Sequence, residues 1–297
     1  MSSTRRNRQV RFSQNFLHDR RLVERLVGEA GLGPDDIVLE IGPGTGIITD
    51  VLARRCGHVL AVEKDQQQVG TLQRRFRHQP RVTVFRADFL EFPLPATQYK
   101  VFASIPYNIT TAIVAKLTSG VSPPDDAFLI VQREAAARFI GAPANTLFAL
   151  ELAPWFDLSI RRELQRTDFR PVPAVDSVLL RVRRRPEPLV PDERRGAYLD
   201  LVTALFTAWK PSVLEALSTI APGDIVQALH ATFGSDLSRT PAQLPFVLWL
   251  RLFERIVALE DDRVWSAVAG AGERLKEQQS RLMKRHRTPV HHATRRR

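Results

Sequence analysis

Residues 37–48 read Ile37-Val38-Leu39-Glu40-Ile41-Gly42-Pro43-Gly44-Thr45-Gly46-Ile47-Ile48: a short apolar run, a glycine-rich turn, then a second apolar stretch. A strand that passes through such a loop into a helix is where an α/β sheet binds ligands, beyond the carboxyl ends of its strands. The glycines let backbone approach the ligand. A dinucleotide fingerprint requires its third glycine at position 47, which is Ile47; the spacing is Gly-x-Gly-x-Gly, which disfavours NAD. Gly46 is followed by Ile47-Ile48 and not by Lys-Ser/Thr, so no nucleoside triphosphate is indicated.

Working outward, residues 19–30 form an amphipathic pattern with Leu22, Val23, Leu26 and Val27 on one face and Asp19 placed to cap it. Apolar runs at Ile37–Ile41, His58–Val62, Val82–Phe85, Lys100–Ile105 and Phe128–Val131 then alternate with helical patterns at 47–55, 66–77, 109–118 and 133–140. That alternation predicts a parallel sheet covered on both faces. Residues 155–164 and 178–183 form a later strand pair joined by the proline-bearing loop 167–177, so a doubly wound, Rossmann-like α/β sheet ends in a hairpin.

Pro186-Glu187-Pro188-Leu189-Val190-Pro191 reads as a linker. Beyond it the periodicity is helical, at about 192–209, 212–219, 223–232, 241–258 and 262–278. The expected organisation is a basic arm (1–11), a Rossmann-like domain (12–186), a small all-helical domain (187–280) and a basic tail (281–297), disordered from Lys284 on.

Hydrophobic residues make up 44% of the 297 and charged residues 25%, so most of the chain has the composition of a folded globular protein. The one cysteine, Cys56, excludes an internal disulfide and a multi-thiolate metal site and suits a reducing cytoplasm. No apolar stretch is long enough to span a bilayer, and the expectation is a soluble cytoplasmic monomer without metal.

The formal charge is +11 and the isoelectric point about 10.7, which suggests a polyanionic partner. The excess sits at the ends. Residues 1–11 carry Arg5, Arg6, Arg8 and Arg11 with no acid. Residues 274–297 carry nine Lys or Arg, among them Lys284, Arg285 and Arg287, against Glu277 alone. Such arms gain affinity for nucleic acid by releasing counterions from its phosphates, without reading sequence. Two further clusters, Arg161/Arg162/Arg166/Arg170 and Arg181/Arg183/Arg184/Arg185, flank the 167–177 loop as a possible second basic surface.

Glu63 closes the second strand, where a carboxylate accepts both ribose hydroxyls of a nucleoside. Asp88, at the end of the third strand, is placed to accept from an adenine amino group. With the glycine loop they describe a site for adenosine without a pyrophosphate, and S-adenosylmethionine fits that description.

The fourth strand ends in Ser104-Ile105-Pro106-Tyr107-Asn108 at the same sheet edge. The exocyclic amine of adenine is a poor nucleophile because its lone pair is delocalised into the ring. Acceptors at Ser104 Oγ and the Ile105 carbonyl would take its two N–H donors and favour a tetrahedral nitrogen, which is catalysis by positioning and electrostatics. Tyr107 offers a face on which an extruded base stacks, and Phe169, ahead of Pro171 and Pro173, is a candidate for the other side.

Ser13-Gln14-Asn15-Phe16-Leu17, Glu40 to Gly46, Glu63, Ala87-Asp88-Phe89, Ser104 to Asn108 and Phe169 to Ser177 together resemble the rRNA adenine N6-methyltransferases, which include Erm-type and KsgA-type enzymes. The resemblance covers about residues 10–260. Ile105, Ala153-Pro154-Trp155-Phe156, Arg166-Thr167-Asp168-Phe169 and the arginine-rich C-terminal extension are closer to the Erm type. It implies S-adenosylmethionine as cofactor and a single-stranded or bulged adenine of 23S rRNA as target, with resistance to macrolides, lincosamides and streptogramin B as the outcome. It further implies that Gln14, Asn15, Leu17, Gly42, Gly44 and Phe89 line the cofactor, that Ser104 bridges cofactor and amine, and that Asn108 and Arg133 face the RNA. Most members carry Asn where this chain has Ser104, whose side chain is shorter.

Two other functions fit parts of the pattern. One is a KsgA-type enzyme that dimethylates adjacent adenines of 16S rRNA. The other is a methyltransferase-fold protein that only binds nucleic acid, against which the acidic cofactor positions and the aromatic step both weigh.

Overall fold

The structure is a computed structural model that describes residues 16–119 and 122–285, with side chains through 281. Its first unit is built on a seven-stranded sheet. The strands are β2 (Ile37–Ile41), β3 (His58–Glu63), β4 (Val82–Arg86), β5 (Lys100–Ser104), β6 (Asp126–Gln132), β7 (Phe156–Leu164) and β9 (Ser177–Arg184). They lie in the order β4-β3-β2-β5-β6-β9-β7. The strands β2 to β6 run parallel, and β9 runs antiparallel to both neighbours. The predicted doubly wound sheet with its terminal hairpin is therefore present, with β9 inserted between β6 and β7.

The parallel strands are apolar throughout because helices cover both faces. Val38, Leu39, Val101, Phe102, Ala103 and Leu129 are fully enclosed. On the faces and in the connections lie α1 (Arg20–Glu29), α2 (Ile47–Arg55), α3 (Gln66–Arg75), α4 (Thr110–Ser119) and α5 (Arg133–Phe139). Asp19 caps α1 by accepting from Arg21 N, and the helix buries the four apolar residues its period marks. Asp65 caps α3, accepting from Gln67 N and Gln68 N. At the start of α2 the cap residue is Gly46, in the left-handed region at φ +80°, with no side-chain bond.

The sequence pattern misses a two-stranded ribbon, β1 (Phe16–Leu17) against β8 (Phe169–Arg170), which pairs Phe16 with Arg170 and Leu17 with Phe169. Two residues per strand are too few to show alternation. The ribbon draws the 165–177 loop against the N-terminal segment, and His18 N adds a bond to Asp168 O at 3.3 Å.

The helical unit comprises residues 188 onward together with Ala144–Glu151, a segment that the sequence pattern assigns to the first domain. That segment holds most of α6 (Leu147–Leu152), a helix too short to register as a period. Tyr198 Oη donates to Leu150 O at 3.0 Å, and Asn145 Nδ2 donates to Leu244 O at 2.7 Å. The remaining helices are α7 (Arg195–Thr207), α8 (Val213–Leu217), α9 (Gly223–Phe233), α10 (Phe246–Ala258), α11 (Asp262–Val268) and α12 (Ala271–Arg285).

The expected helix 262–278 is two helices, because Gly270 turns the chain at φ +74° and the Asp200 carboxylate accepts from Gly270 N and Gly272 N at 2.8 and 2.9 Å. The second continues to Arg285, so Lys284 and Arg285 are helical, contrary to the predicted disorder; residues 286–297 lie outside the described residues. The helix expected at 241–258 starts at Phe246, after Pro245. Tyr198 meets Phe253 edge-on at 5.3 Å, and Phe253 meets Trp265 at 5.9 Å.

One turn in the first unit is sterically closed. A Cβ on Gly57 would lie 2.4 Å from the Pro34 carbonyl oxygen, and Gly57 N is bonded to Asp36 O at 3.0 Å, so the backbone cannot yield. Gly57→Ala is expected to lower unfolding free energy by about 1–3 kcal/mol, as overpacking does, and denaturant unfolding measures it.

Candidate active site

The strands leave β2 toward β3 and β4 on one side and return through β5 and β6 on the other. The crevice between the carboxyl ends of β2 and β5 is the switch point of the sheet, and the glycine loop and Ser104–Asn108 both emerge there.

Gly42, Gly44 and Gly46 all have positive φ, at +66°, +53° and +80°. At Gly44 the demand is also spatial, since a Cβ would stand 2.3 Å from the ring of Phe16. At Gly42 a Cβ would meet nothing within 4 Å, so the loop presents open space there. Glu63 sits at the end of β3, 4% exposed. Its Oε2 accepts from Gly44 N at 3.2 Å and its Oε1 from Asp65 N at 2.8 Å. Each oxygen keeps a lone pair for a further donor such as a ribose hydroxyl.

Asp88 Oδ1 accepts from Leu90 N at 3.0 Å and Oδ2 from Lys64 Nζ at 2.5 Å. The Lys64 bond holds the Asp88 carboxyl below the usual range, against the opposing effect of burial. The adjoining Phe89 is buried under Lys116, whose Nζ lies 5.2 Å from the ring centroid and donates to Leu90 O and Phe92 O at 2.9 and 2.6 Å. Desolvation lowers the Lys116 pKa. Lys116 thus fixes the turn that presents Asp88, a role with no local sequence signal because the two lie on separate segments.

Glu40 is the site residue to which its own motif assigned no role. It is fully enclosed on β2, with Oε2 accepting from Thr49 Oγ1 at 2.6 Å and Oε1 without a partner. Burial pushes its pKa up to about 8, against the Thr49 hydrogen bond. The open Gly42 cradle, with the two-faced Glu63 at the neighbouring strand end, fits a nucleoside carrying a tail on its ribose. S-adenosylmethionine is such a ligand. The detectable signal was an acid inside an otherwise apolar strand.

On the other side of the crevice Ser104 ends β5, half-buried and paired with Ile130. Ile105 is enclosed, with its N–H donating to Ile130 O at 3.3 Å. Tyr107 and the exposed Asn108 lie in a 3-10 turn, Tyr107–Ile109. Tyr107 Oη shares a 2.6 Å hydrogen bond with Ser177 Oγ, and Ser177 is itself buried. The tyrosine ring, half-buried, is therefore tied at its far end to the close of the proline loop.

Several predicted residues are placed elsewhere. Phe169 is wholly buried in the core cluster with Leu17 and Leu26, so it offers no free face to a base. Leu17 packs in the same cluster at 3% exposure, which leaves its backbone and not its side chain for any cofactor contact. Arg133 is ion-paired with Glu163 at 2.7 Å and donates its backbone N–H to Asp176 O at 2.9 Å. The second basic surface is half neutralised, because Arg162, Arg166, Arg181 and Arg183 pair with Glu29, Asp176, Asp126 and Asp157. Gln14, Asn15, Arg5, Arg6, Arg8, Arg11 and Arg287 lie outside the described residues. Among the described residues no group of three or more His, Cys, Asp or Glu side chains is arranged to hold a metal ion, and no helix is long and apolar enough to cross a membrane.

Comparison with known proteins matches residues 5–258 to the family model described as ribosomal RNA adenine dimethylase. An rRNA adenine N-6-methyltransferase of Aeromicrobium erythreum is 32% identical over 270 residues, 90% of this chain and 78% of that protein. A ribosomal RNA small subunit methyltransferase A of a Synechococcus strain is 32% identical over 274 residues, 89% of this chain and 97% of that protein. A Bacillus licheniformis rRNA adenine N-6-methyltransferase is 34% identical over 173 residues, and the chain spans only 60% of its length. Among solved structures, the 23S rRNA methyltransferase ErmE superposes with a TM-score of 0.75 at 32% identity, covering 82% of this chain and 100% of that one.

The Glu40 carboxyl carries a testable signature. With its pKa raised from 4.5 to about 8, the folded chain holds a proton that the unfolded chain releases, so stability falls as pH rises through that window. Unfolding free energy is expected to be about 1–3 kcal/mol lower at pH 8 than at pH 6 from this group. Glu40→Gln removes that part of the slope in denaturant titrations across the same pH range.

Proposed function

Since the chain belongs to the ribosomal RNA adenine dimethylase family, we propose that it transfers methyl from S-adenosylmethionine to N6 of a specific adenine in 23S rRNA, once or twice. The observation that carries the reading is the convergence at one sheet edge of the Gly42–Gly46 cradle with Glu63 and of the Ser104–Tyr107 step. The large-subunit target draws on the likeness to ErmE, which this chain matches over that protein's whole described length. Resistance to macrolides, lincosamides and streptogramin B follows from that target.

The division of labour follows from the residues. Glu63 holds the ribose and Asp88 the adenine of the cofactor, while Gly42 leaves room beneath its methionine end. Bound there, S-adenosylmethionine supplies an electrophilic methyl on sulfur. Ser104 Oγ and the Ile105 carbonyl accept the two N–H bonds of the target amine and favour a tetrahedral nitrogen whose lone pair is withdrawn from conjugation with the ring. Tyr107 stacks on the extruded base, and its bond to Ser177 fixes the ring. Nothing in this scheme requires a covalent enzyme intermediate, because orientation and polarisation of the amine lower the barrier.

The basic arms, with Arg5, Arg6, Arg8 and Arg11 at one end and Lys284, Arg285 and Arg287 at the other, supply salt-dependent affinity for rRNA; Asn108 is exposed beside the target slot. A second reading, dimethylation of the small-subunit RNA, is favoured by the near-full-length match to the Synechococcus relative.

Mass-spectrometric mapping of rRNA from cells expressing the chain distinguishes the two. A methylated adenine in 23S is expected, and modification confined to 16S selects the second reading. Tyr107→Ala is expected to lower kcat/KM about 10- to 100-fold, the worth of a base–aromatic stack, with cofactor affinity unchanged by calorimetry; near-normal turnover removes Tyr107 from the mechanism.

A further inference from the structure

Trp209 is 93% exposed, far more than any other large apolar side chain among the described residues. Its backbone is in the left-handed region at φ +54°, which a residue with a bulky side chain adopts only at a cost in free energy. An indole left in water on a strained backbone is an arrangement that folding alone disfavours.

Its setting is firm. α7 ends at Thr207, whose Oγ1 is bonded to Thr203 O at 2.7 Å, and α8 begins after Ser212, which caps it through Glu215 N at 3.2 Å. Leu205 and Val213 on either side are fully buried. The connection is thus anchored at both ends, and Pro211 stiffens it. Next to the indole in sequence stands one cation, the exposed Lys210, whereas the Arg239 guanidinium, on the segment whose backbone bonds Val213, is paired with Asp236 at 3.4 Å. An aromatic face on a rigid turn with an adjoining positive charge is the combination that binds an unpaired nucleotide, the ring stacking on the base and the cation meeting its phosphate.

We propose that Trp209 is an RNA contact of the helical unit, stacking on an unpaired base of the rRNA substrate, with Lys210 on the adjoining phosphate. The inference rests on the reading that this chain acts on rRNA, and is indifferent to which rRNA it methylates.

The test uses the full chain with a 23S domain V fragment and with intact 16S rRNA. Trp209→Gly is expected to weaken binding of the substrate RNA roughly ten-fold, the order of one lost stack, while the thermal midpoint holds or rises because glycine tolerates the positive φ. Trp209→Phe keeps most of the affinity, and Lys210→Ala lowers the slope of log affinity against log salt by about 1. RNA also quenches the emission of the exposed indole, and the quench is lost in Trp209→Gly although the buried Trp155 and Trp249 and the half-buried Trp265 remain.

Turnover at saturating RNA stays near wild type in Trp209→Gly while KM for RNA rises. Tight wild-type binding that Trp209→Gly leaves unchanged overturns the stacking contact alone. A change in self-association with RNA affinity intact assigns the indole to a protein contact and also overturns it. A wild-type chain that binds neither RNA overturns the rRNA reading itself.

Discussion

The site depends on one crowded glycine. Gly44 donates its N–H to the buried Glu63 carboxylate on one side and lies under the Phe16 ring on the other. No side chain fits between them. The contact joins three segments remote in sequence: the N-terminal strand, the loop after β2 and the end of β3. A carboxylate fixed by two backbone amides is already oriented before a ligand arrives, which lowers the reorganisation needed on binding.

The second half of the crevice is ordered by the same N-terminal segment. Pairing of Phe16 and Leu17 with Arg170 and Phe169 draws the proline loop inward, and that loop ends at Ser177, which holds the Tyr107 hydroxyl. The Arg166–Asp176 pair braces that loop internally, and the Arg133 backbone bond to Asp176 ties its end to the segment after β6. The glycine loop and the Tyr107 turn therefore share one structural support. Phe169, which from its position beside the prolines reads as a base contact, is a keystone of this support; its ring is spent on the core.

What could be read in the sequence follows the range of the interactions concerned. The strands from Ile37 to Gln132 are long enough apolar runs to declare themselves, and their ends agree with expectation to within two residues. The glycine loop, Glu63, Asp88 and Tyr107 all lie next to strand ends, so locating the strands located them. Lys116 above Phe89, Ser177 behind Tyr107 and Phe16 on Gly44 are contacts between distant segments, which no local pattern encodes. The arginine clusters show the opposite failure. Charge counted along the chain ignores acids brought in by folding, and Glu29 and Asp126 cancel guanidiniums that appear free in one dimension.

The helical unit is assembled from two separate stretches, 144–151 and 188 onward, with Tyr198 and the residues around Ala242 and Leu244 holding the earlier one. Such a unit is not a cassette. A truncation or gene fusion at the 186–191 linker severs the donors of Tyr198 and Asn145 from their acceptors and strands an apolar helix on the upstream fragment. Evolutionary exchange of this module therefore requires two coordinated crossovers, which favours its descent together with the sheet.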